Sequence, residues 1–308
     1  MKWQHAAVRS AGRMTSSRLR AALGALEDVA DVDVSGAELI KFTNNAVFRL
    51  PAAGVVVRIA GSQTMAQRAE KVVRVAQWLK EHRVAAARLL PHVTQPVTAD
   101  GLTMTLWHEV IADGPAPTGA DLARILREIH ELPPPAGGLP AWAPFQEIRQ
   151  RLDEPEGVRQ ADIAYLRDQC DQIEGEIGEL TFAMPVGPIH GDAFMGNLIA
   201  GQGGPVICDF DSTCIGPREW DLTPLAVGKL RFDYSGDANG DLASRYGFDV
   251  IGWPGFNTLR RIRELKLVTS VVPVLGSNPG IRPQWEYRLR TYRSGDQSAR
   301  WSTYGAAA

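Results

Sequence analysis

The chain has 308 residues, 44% of them hydrophobic and 22% charged, with a net charge of −2. That balance is ordinary for a soluble protein and too weak to draw nucleic acid or an anionic membrane by field alone, so neither is expected as a partner. The length exceeds what one hydrophobic core usually serves and predicts two lobes. No apolar run reaches the roughly 18 residues of a membrane span, and the basic start lacks the apolar stretch of a signal peptide. Cys170, Cys208 and Cys214 are odd in number and irregular in spacing, which argues against a disulfide framework and against zinc, and makes a reducing cytoplasm the simplest location.

In chain order, Thr15 to Val29 reads as an amphipathic helix with Leu19, Leu23 and Leu26 on one face, of the kind that covers a lobe. Three strands follow, 38–42, 46–50 and 55–59, the first two joined by Thr43-Asn44-Asn45; they predict an antiparallel meander. A helix over 64–82 carries an apolar stripe of Ala69, Val72, Val73, Ala76 and Leu79. Residues 102–107 alternate as a strand should, and the break at Asp113-Gly114 with the following prolines marks a hinge. This divides the chain into residues 1–111 and 112–308. Beyond it, helices are predicted over 121–130, 145–152, 160–180, 220–229 and 256–272, with a Pro- and Gly-rich surface loop from Pro133 to Pro144. The class is α+β, with a small antiparallel-sheet lobe followed by a larger, mostly helical one.

The chemistry concentrates in His190-Gly191-Asp192-Ala193-Phe194-Met195-Gly196-Asn197 and Cys208-Asp209-Phe210-Asp211. Moving a γ-phosphoryl group needs little covalent help but requires an oriented hydroxyl and divalent metal on the phosphates. In the kinase pattern H-R-D-x-x-x-x-N, the Asp orients the hydroxyl and the Asn, five residues on, ligates magnesium. Asp192 and Asn197 keep that offset. Pro205-Val206-Ile207-Cys208, bounded by a Gly-rich turn, reads as a short buried strand delivering Asp209 to its end, where kinases place the metal-binding Asp of D-F-G.

Gly191 replaces the kinase Arg, Asp211 replaces the Gly of D-F-G, and Gly216-Pro217-Arg218-Glu219-Trp220-Asp221-Leu222 follows. With these features the stretch from about Glu38 to about Leu267 resembles the aminoglycoside phosphotransferase and choline kinase-like family, whose signature is H-G-D-x-x-x-x-N, then I-D-F-[DE], then G-x-x-x-x-D-L. The resemblance implies a bilobal protein-kinase-like fold. It implies Asp192 as the catalytic residue, Asn197 and Asp209 as magnesium ligands, and Asp211 as a further metal ligand or loop-stabilising carboxylate. His190 and Asp221 would support the loop rather than react, and His130 would be structural. Nucleotide, ATP or GTP, would be bound by the backbone around His108, Glu109 and Val110 and by a phosphate contact from Asn45. Arg58 stands on the third strand where kinases carry the phosphate-binding Lys, and Glu70 is its expected partner.

The expected reaction is transfer to a hydroxyl of a small molecule. Antibiotic or related secondary-metabolite phosphorylation is the first expectation by resemblance, and a metabolite kinase of choline, amino-sugar or homoserine type the alternative. The many Arg residues between Arg231 and Arg293 speak against a polycationic acceptor, and Arg231, Asp233, Tyr234, Arg263 and Glu264 are candidate pocket residues. A catalytically silent nucleotide-binding module finds support only in Arg58, and the joint presence of Asp192, Asn197 and Asp209 opposes it. A protein kinase is disfavoured by the missing A-P-E element and the missing Arg before Asp192.

Overall fold

The structure, a computed structural model, describes residues 15–42 and 45–304. Thr43 and Asn44 of the first turn lie outside them. Helix α1 (Ser16–Ala30) is capped by the Thr15 hydroxyl, which accepts from the Arg18 amide and satisfies one of the orphan donors of the first turn. It is followed by β1 (Glu38–Phe42), β2 (Asn45–Leu50), β3 (Val55–Ala60), α2 (Gln63–Glu81), β4 (Val97–Ala99) and β5 (Leu102–His108). These strands form one antiparallel sheet in the order β1-β2-β3-β5-β4. Strand β4, absent from the expected elements, adds an edge next to β5.

Because side chains alternate along a strand, Val55, Val57 and Ile59 face one way and Val56 and Arg58 the other. The first face is covered by Leu19, Ala22, Leu23 and Leu26 of α1, which form a core with Phe48, Leu50, Met104 and Leu106. The opposite face looks towards the second lobe, and the pairing of Val47 with Arg58 sets Asn45, Val47 and Arg58 along it.

The second lobe contains α3 (Gly119–Glu131), α4 (Pro144–Asp153), α5 (Gln160–Gly178), β6 (Val186–Ile189), β7 (Leu198–Ile199), β8 (Val206–Ile207), β9 (Cys214–Pro217), α6 (Glu219–Arg231), α7 (Ala238–Tyr246), α8 (Phe256–Thr269) and α9 (Arg282–Arg293). Helices α4, α5, α8 and α9 enclose one core. A second core joins α2 and Trp107 to α3, α6 and the loop residues Ala193 and Phe210, so apolar packing crosses between the lobes. The segment after α2 also pairs with β8: the Ala87 amide donates to the Ile207 carbonyl (2.9 Å), and the Ile207 amide to the Ala85 carbonyl (3.0 Å). We propose the lobe division after Ile111, where the chain leaves β5, with α2 serving as the shared wall.

Leu26 is fully enclosed. Leu26→Ala removes its transfer energy and leaves a cavity between α1 and the sheet, an expected loss of about 3 kcal/mol, readable as a lowered midpoint in urea unfolding.

Candidate active site

Two interleaved strand pairs set the site. Strand β6 pairs with β9 and β7 with β8, so the loop 190–197 and the loop 209–213 emerge side by side. Gly191 adopts φ +85°, and a Cβ there would come within 2.1 Å of the Ser212 carbonyl oxygen. That contact explains glycine at this position, since any side chain would part the two loops.

The 190–197 loop hangs on Asp221, a wholly buried carboxylate at the start of α6. Its oxygens accept from the His190 and Gly191 amides, each at 2.7 Å, and from His130 Nε2 at 3.0 Å. Trp220 Nε1 donates to the Gly191 carbonyl (2.8 Å), and His190 Nε2 donates to the Cys208 carbonyl (3.0 Å), tying the two loops together. His130 is buried, with Nδ1 against the Tyr246 hydroxyl at 2.7 Å. His190, His130 and Asp221 thus stand where the loop is supported.

Asp192 projects from this frame towards the cavity between sheet and helices. Its carboxylate receives Arg263 Nη1 of α8. Burial alone would push the Asp192 carboxyl up, but Arg263 and then Lys266 outweigh it and hold it down at about 2, so it is ionised throughout the neutral range. Asn197 Nδ2 donates to the Asp192 carbonyl (2.9 Å), which orients the amide.

Asp209 follows β8 with φ +69°, a left-handed conformation that Asp tolerates better than most residues. Arg58 reaches from β3 to Asp211 and lies 3.6 Å from Asp209. Burial, opposed by Arg58 but reinforced by Asp211, pushes Asp209 up to about 6. In Asp211, Arg58 outweighs the effect of burial and the carboxyl lies below its usual range.

Two expectations need correction. Glu70 is exposed and makes no ion pair among the described residues; the partners of Arg58 are Asp211 and Asp209. The register of α2 turns the next residue inwards instead, and Lys71 Nζ donates to the carbonyls of Asp211 and, at 3.1 Å, Thr213. At the hinge, the amides of His108 and Glu109 donate to the Arg88 and Gly54 carbonyls, both at 2.9 Å. Those two N–H groups are therefore spent inside the first lobe and are not open to a ligand. Glu109 also receives Arg49 through its side chain.

A cavity of about 1100 Å³ is lined by Asn45, Arg58, Asp192, Asn197, Asp209 and Asp211. Asp233, Tyr234 and Arg263 also line it, Arg263 beside Asp192, whereas Arg231 and Glu264 do not. Those two form a buried pair, Nε to Oε1 at 2.6 Å. Sequence reasoning left Lys71 out, since it would face the site only with a shifted register of α2, and missed Glu147, Lys266 and Arg288. No motif marks them; only the one-turn spacing from Arg263 to Lys266 on α8 hints at a shared face.

The donor set suits a hard dication. Magnesium is commonly held by one or two carboxylates plus substrate phosphate oxygens, and Asp209, Asp211 and the Asn197 amide oxygen offer oxygen donors on adjoining loops. Among the described residues no group of three or more His, Cys, Asp or Glu side chains is arranged to hold a metal.

The sequence model of the phosphotransferase enzyme family matches residues 40–265. The chain belongs to that family and is a small-molecule kinase. Among solved structures it is similar to choline kinase LicA from Streptococcus pneumoniae, at 14% identity and a TM-score of 0.63, covering 91% of this chain and 100% of that one. A choline/ethanolamine kinase family protein from Mesorhizobium loti gives 16% identity and a TM-score of 0.62 over 90% and 94% of the two chains. Amicoumacin kinase hAmiN, solved with AMP-PNP, Ca2+ and Ami, gives 11% and 0.62 over 90% and 93%. These likenesses establish the protein-kinase-like fold. A comparison with curated protein sequences finds no match.

Asp221→Ala leaves two buried amides and a buried imidazole without their acceptor. Each costs about 1 to 3 kcal/mol, so a loss of roughly 3 kcal/mol or more is expected in chemical denaturation, with turnover falling in parallel. The raised Asp209 carboxyl sets a pH dependence. Below about 6 it carries a proton, which a divalent cation bound there would displace. Metal-nucleotide affinity should therefore fall as pH drops through that value. Calorimetry in buffers of different ionisation enthalpy should register close to one proton released at about pH 5 and none at about pH 8.

Proposed function

We propose that the chain is an ATP-dependent O-phosphotransferase that moves the γ-phosphate to a hydroxyl of a small molecule. The observation that carries this reading is that Asp192, Asn197, Asp209, Asp211 and Arg58 all line one cavity. Asp192, ionised at neutral pH, accepts a hydrogen bond from the acceptor hydroxyl and takes its proton as the new P–O bond forms. The bond to the bridging oxygen breaks, and its electron pair leaves with the nucleoside diphosphate. Asn197 and Asp209, with Asp211, would hold magnesium, which offsets charge on the phosphates when bound. Arg58, already balancing two carboxylates, is placed to turn its guanidinium to the phosphates. Asn45, on the same sheet face, would add a phosphate contact, and the hinge carbonyls near Val110 would meet the base. GTP is an alternative donor. The AMP-PNP and Ca2+ in the amicoumacin kinase complex support nucleotide and divalent-metal use.

For the acceptor, an antibiotic or related secondary metabolite is supported by the likeness to amicoumacin kinase. The metabolite-kinase reading is favoured by the cationic residues Lys266, Arg263 and Arg288 that line the cavity, which would repel a polycation. The three cysteines, all free, suit a reducing cytoplasm. No helix among the described residues is long and apolar enough to cross a membrane.

Asp192→Ala should lower kcat by about 10³-fold while leaving nucleotide affinity nearly unchanged, whereas Asp209→Ala should weaken metal-nucleotide binding as well. Nucleoside-diphosphate release and calorimetric titration measure the two effects, and normal turnover by the Asp192 variant would rule out this assignment.

A further inference from the structure

We propose that the acceptor carries an anionic group, a carboxylate or phosphate near its reacting hydroxyl, and that Arg263 receives it. The proposal rests on the phosphotransferase reading and names the acceptor class for that site.

Helix α8 is pinned at this point. Glu264 is buried and takes both Arg231, at 2.6 and 2.8 Å, and Arg260, at 2.6 Å. With that side of the helix locked, the adjacent Arg263 is directed into the cavity, where its single side-chain hydrogen bond among the described residues goes to Asp192. A guanidinium has five N–H donors in a planar fork suited to an oxyanion, so most of its donor capacity is available to a ligand.

The surrounding charges have the same sign. One turn along α8, Lys266 lines the cavity and lies 3.5 Å from Glu147, whose other oxygen accepts from Arg151 at 2.8 Å. One carboxylate is thus shared by two cations. Arg288, also lining the cavity, is 2% exposed and pairs with no carboxylate among the described residues. It stacks 3.8 Å from the Tyr304 ring centroid and donates to the Ser302 carbonyl at 2.5 Å. Arg263, Lys266, Arg151 and Arg288 thus stand against Glu147 and Asp192, of which Asp192 is committed to the hydroxyl, while Asp233 and Asp237 of the same cavity are paired with Arg300 and Lys229. A polycationic acceptor would add like charge here, whereas an oxyanion would find paired donors in a partly desolvated pocket, where such bonds are strong.

The contact between Arg263 and Asp192 adds a functional consequence. An oxyanion on the acceptor competes for the guanidinium and draws it from Asp192. A cationic acceptor has no such claim on Arg263.

The test uses the full chain with magnesium and ATP and matched acceptors: D-glucuronate against D-glucuronamide, and glycerol 3-phosphate against glycerol, with kanamycin and choline as cations. We expect at least about 10-fold higher kcat/KM for the anionic member of a pair, and the better of the two pairs tells carboxylate from phosphate. In Arg263→Gln the anionic-to-neutral ratio should collapse towards one, chiefly through KM, with partial recovery in Arg263→Lys. Higher kcat/KM for kanamycin or choline, or a ratio unaltered by Arg263→Gln, would overturn the proposal. Where no acceptor in the panel turns over, thermal unfolding with and without AMP-PNP and magnesium decides. Glucuronate or glycerol 3-phosphate should raise Tm more than its neutral partner, and the difference should vanish in Arg263→Gln and shrink in Lys266→Gln; equal shifts would refute it. Failure of AMP-PNP to raise Tm would count against the phosphotransferase reading alone, because the anion titration is scored separately.

Discussion

The geometry of the reacting groups depends on one buried carboxylate. Asp221 has no access to water and takes its hydrogen bonds from two successive amides and an imidazole. A carboxylate in that position is tolerable only because every partner is a donor of good geometry. In return it holds the His190-Gly191 backbone in a turn that no residue with a Cβ could adopt so near Ser212. The direction of Asp192 follows from that turn, and the same frame, through His190 and Cys208, fixes the start of the 209–213 loop.

The ionic arrangement around this frame departs from the kinase pattern in a consistent way. In protein kinases the third-strand Lys pairs with a helix Glu. Here the third strand supplies Arg58, whose partners are Asp211 and Asp209, and α2 supplies Lys71, which holds the backbone of their loop. Both changes preserve charge balance: a longer guanidinium reaches carboxylates that a Lys–Glu pair would leave alone, and the ammonium on α2 satisfies carbonyls rather than a third acid. The second lobe repeats the principle, with Glu264 clamped between Arg231 and Arg260 and Arg263 set against Asp192. Buried Arg231, Arg260 and Arg263 each meet a carboxylate, whereas buried Asp221 and Glu219 are held by backbone amides and Arg288 by a carbonyl and aromatic rings.

Local pattern made much of the chain readable. The apolar stripes of α1 and α2, the alternation of β5 and the spans of α3, α4 and α8 are all properties of nearest neighbours. The short strands β4, β6 and β9, and helices α7 and α9, were not legible. Strands of three or four residues carry too little periodicity, and α9, with four Arg among its twelve residues, lacks a clear stripe.

For the site itself, the order and spacing of His190 to Asn197 and of Asp209 to Asp211 already determined which residues share a loop, because a turn's chemistry is written in adjacent positions. The family followed from that signature. Tertiary structure alone decided that Arg58 meets Asp211 rather than Glu70, that Lys71 faces inwards, and that Arg263, Lys266 and Arg288 line the same cavity as Asp192. Those contacts join residues tens to more than a hundred positions apart. Which long side chains converge depends on helix register and on the crossing of α2 and α8 over the sheet and loops, and a linear sequence carries no local signal for either.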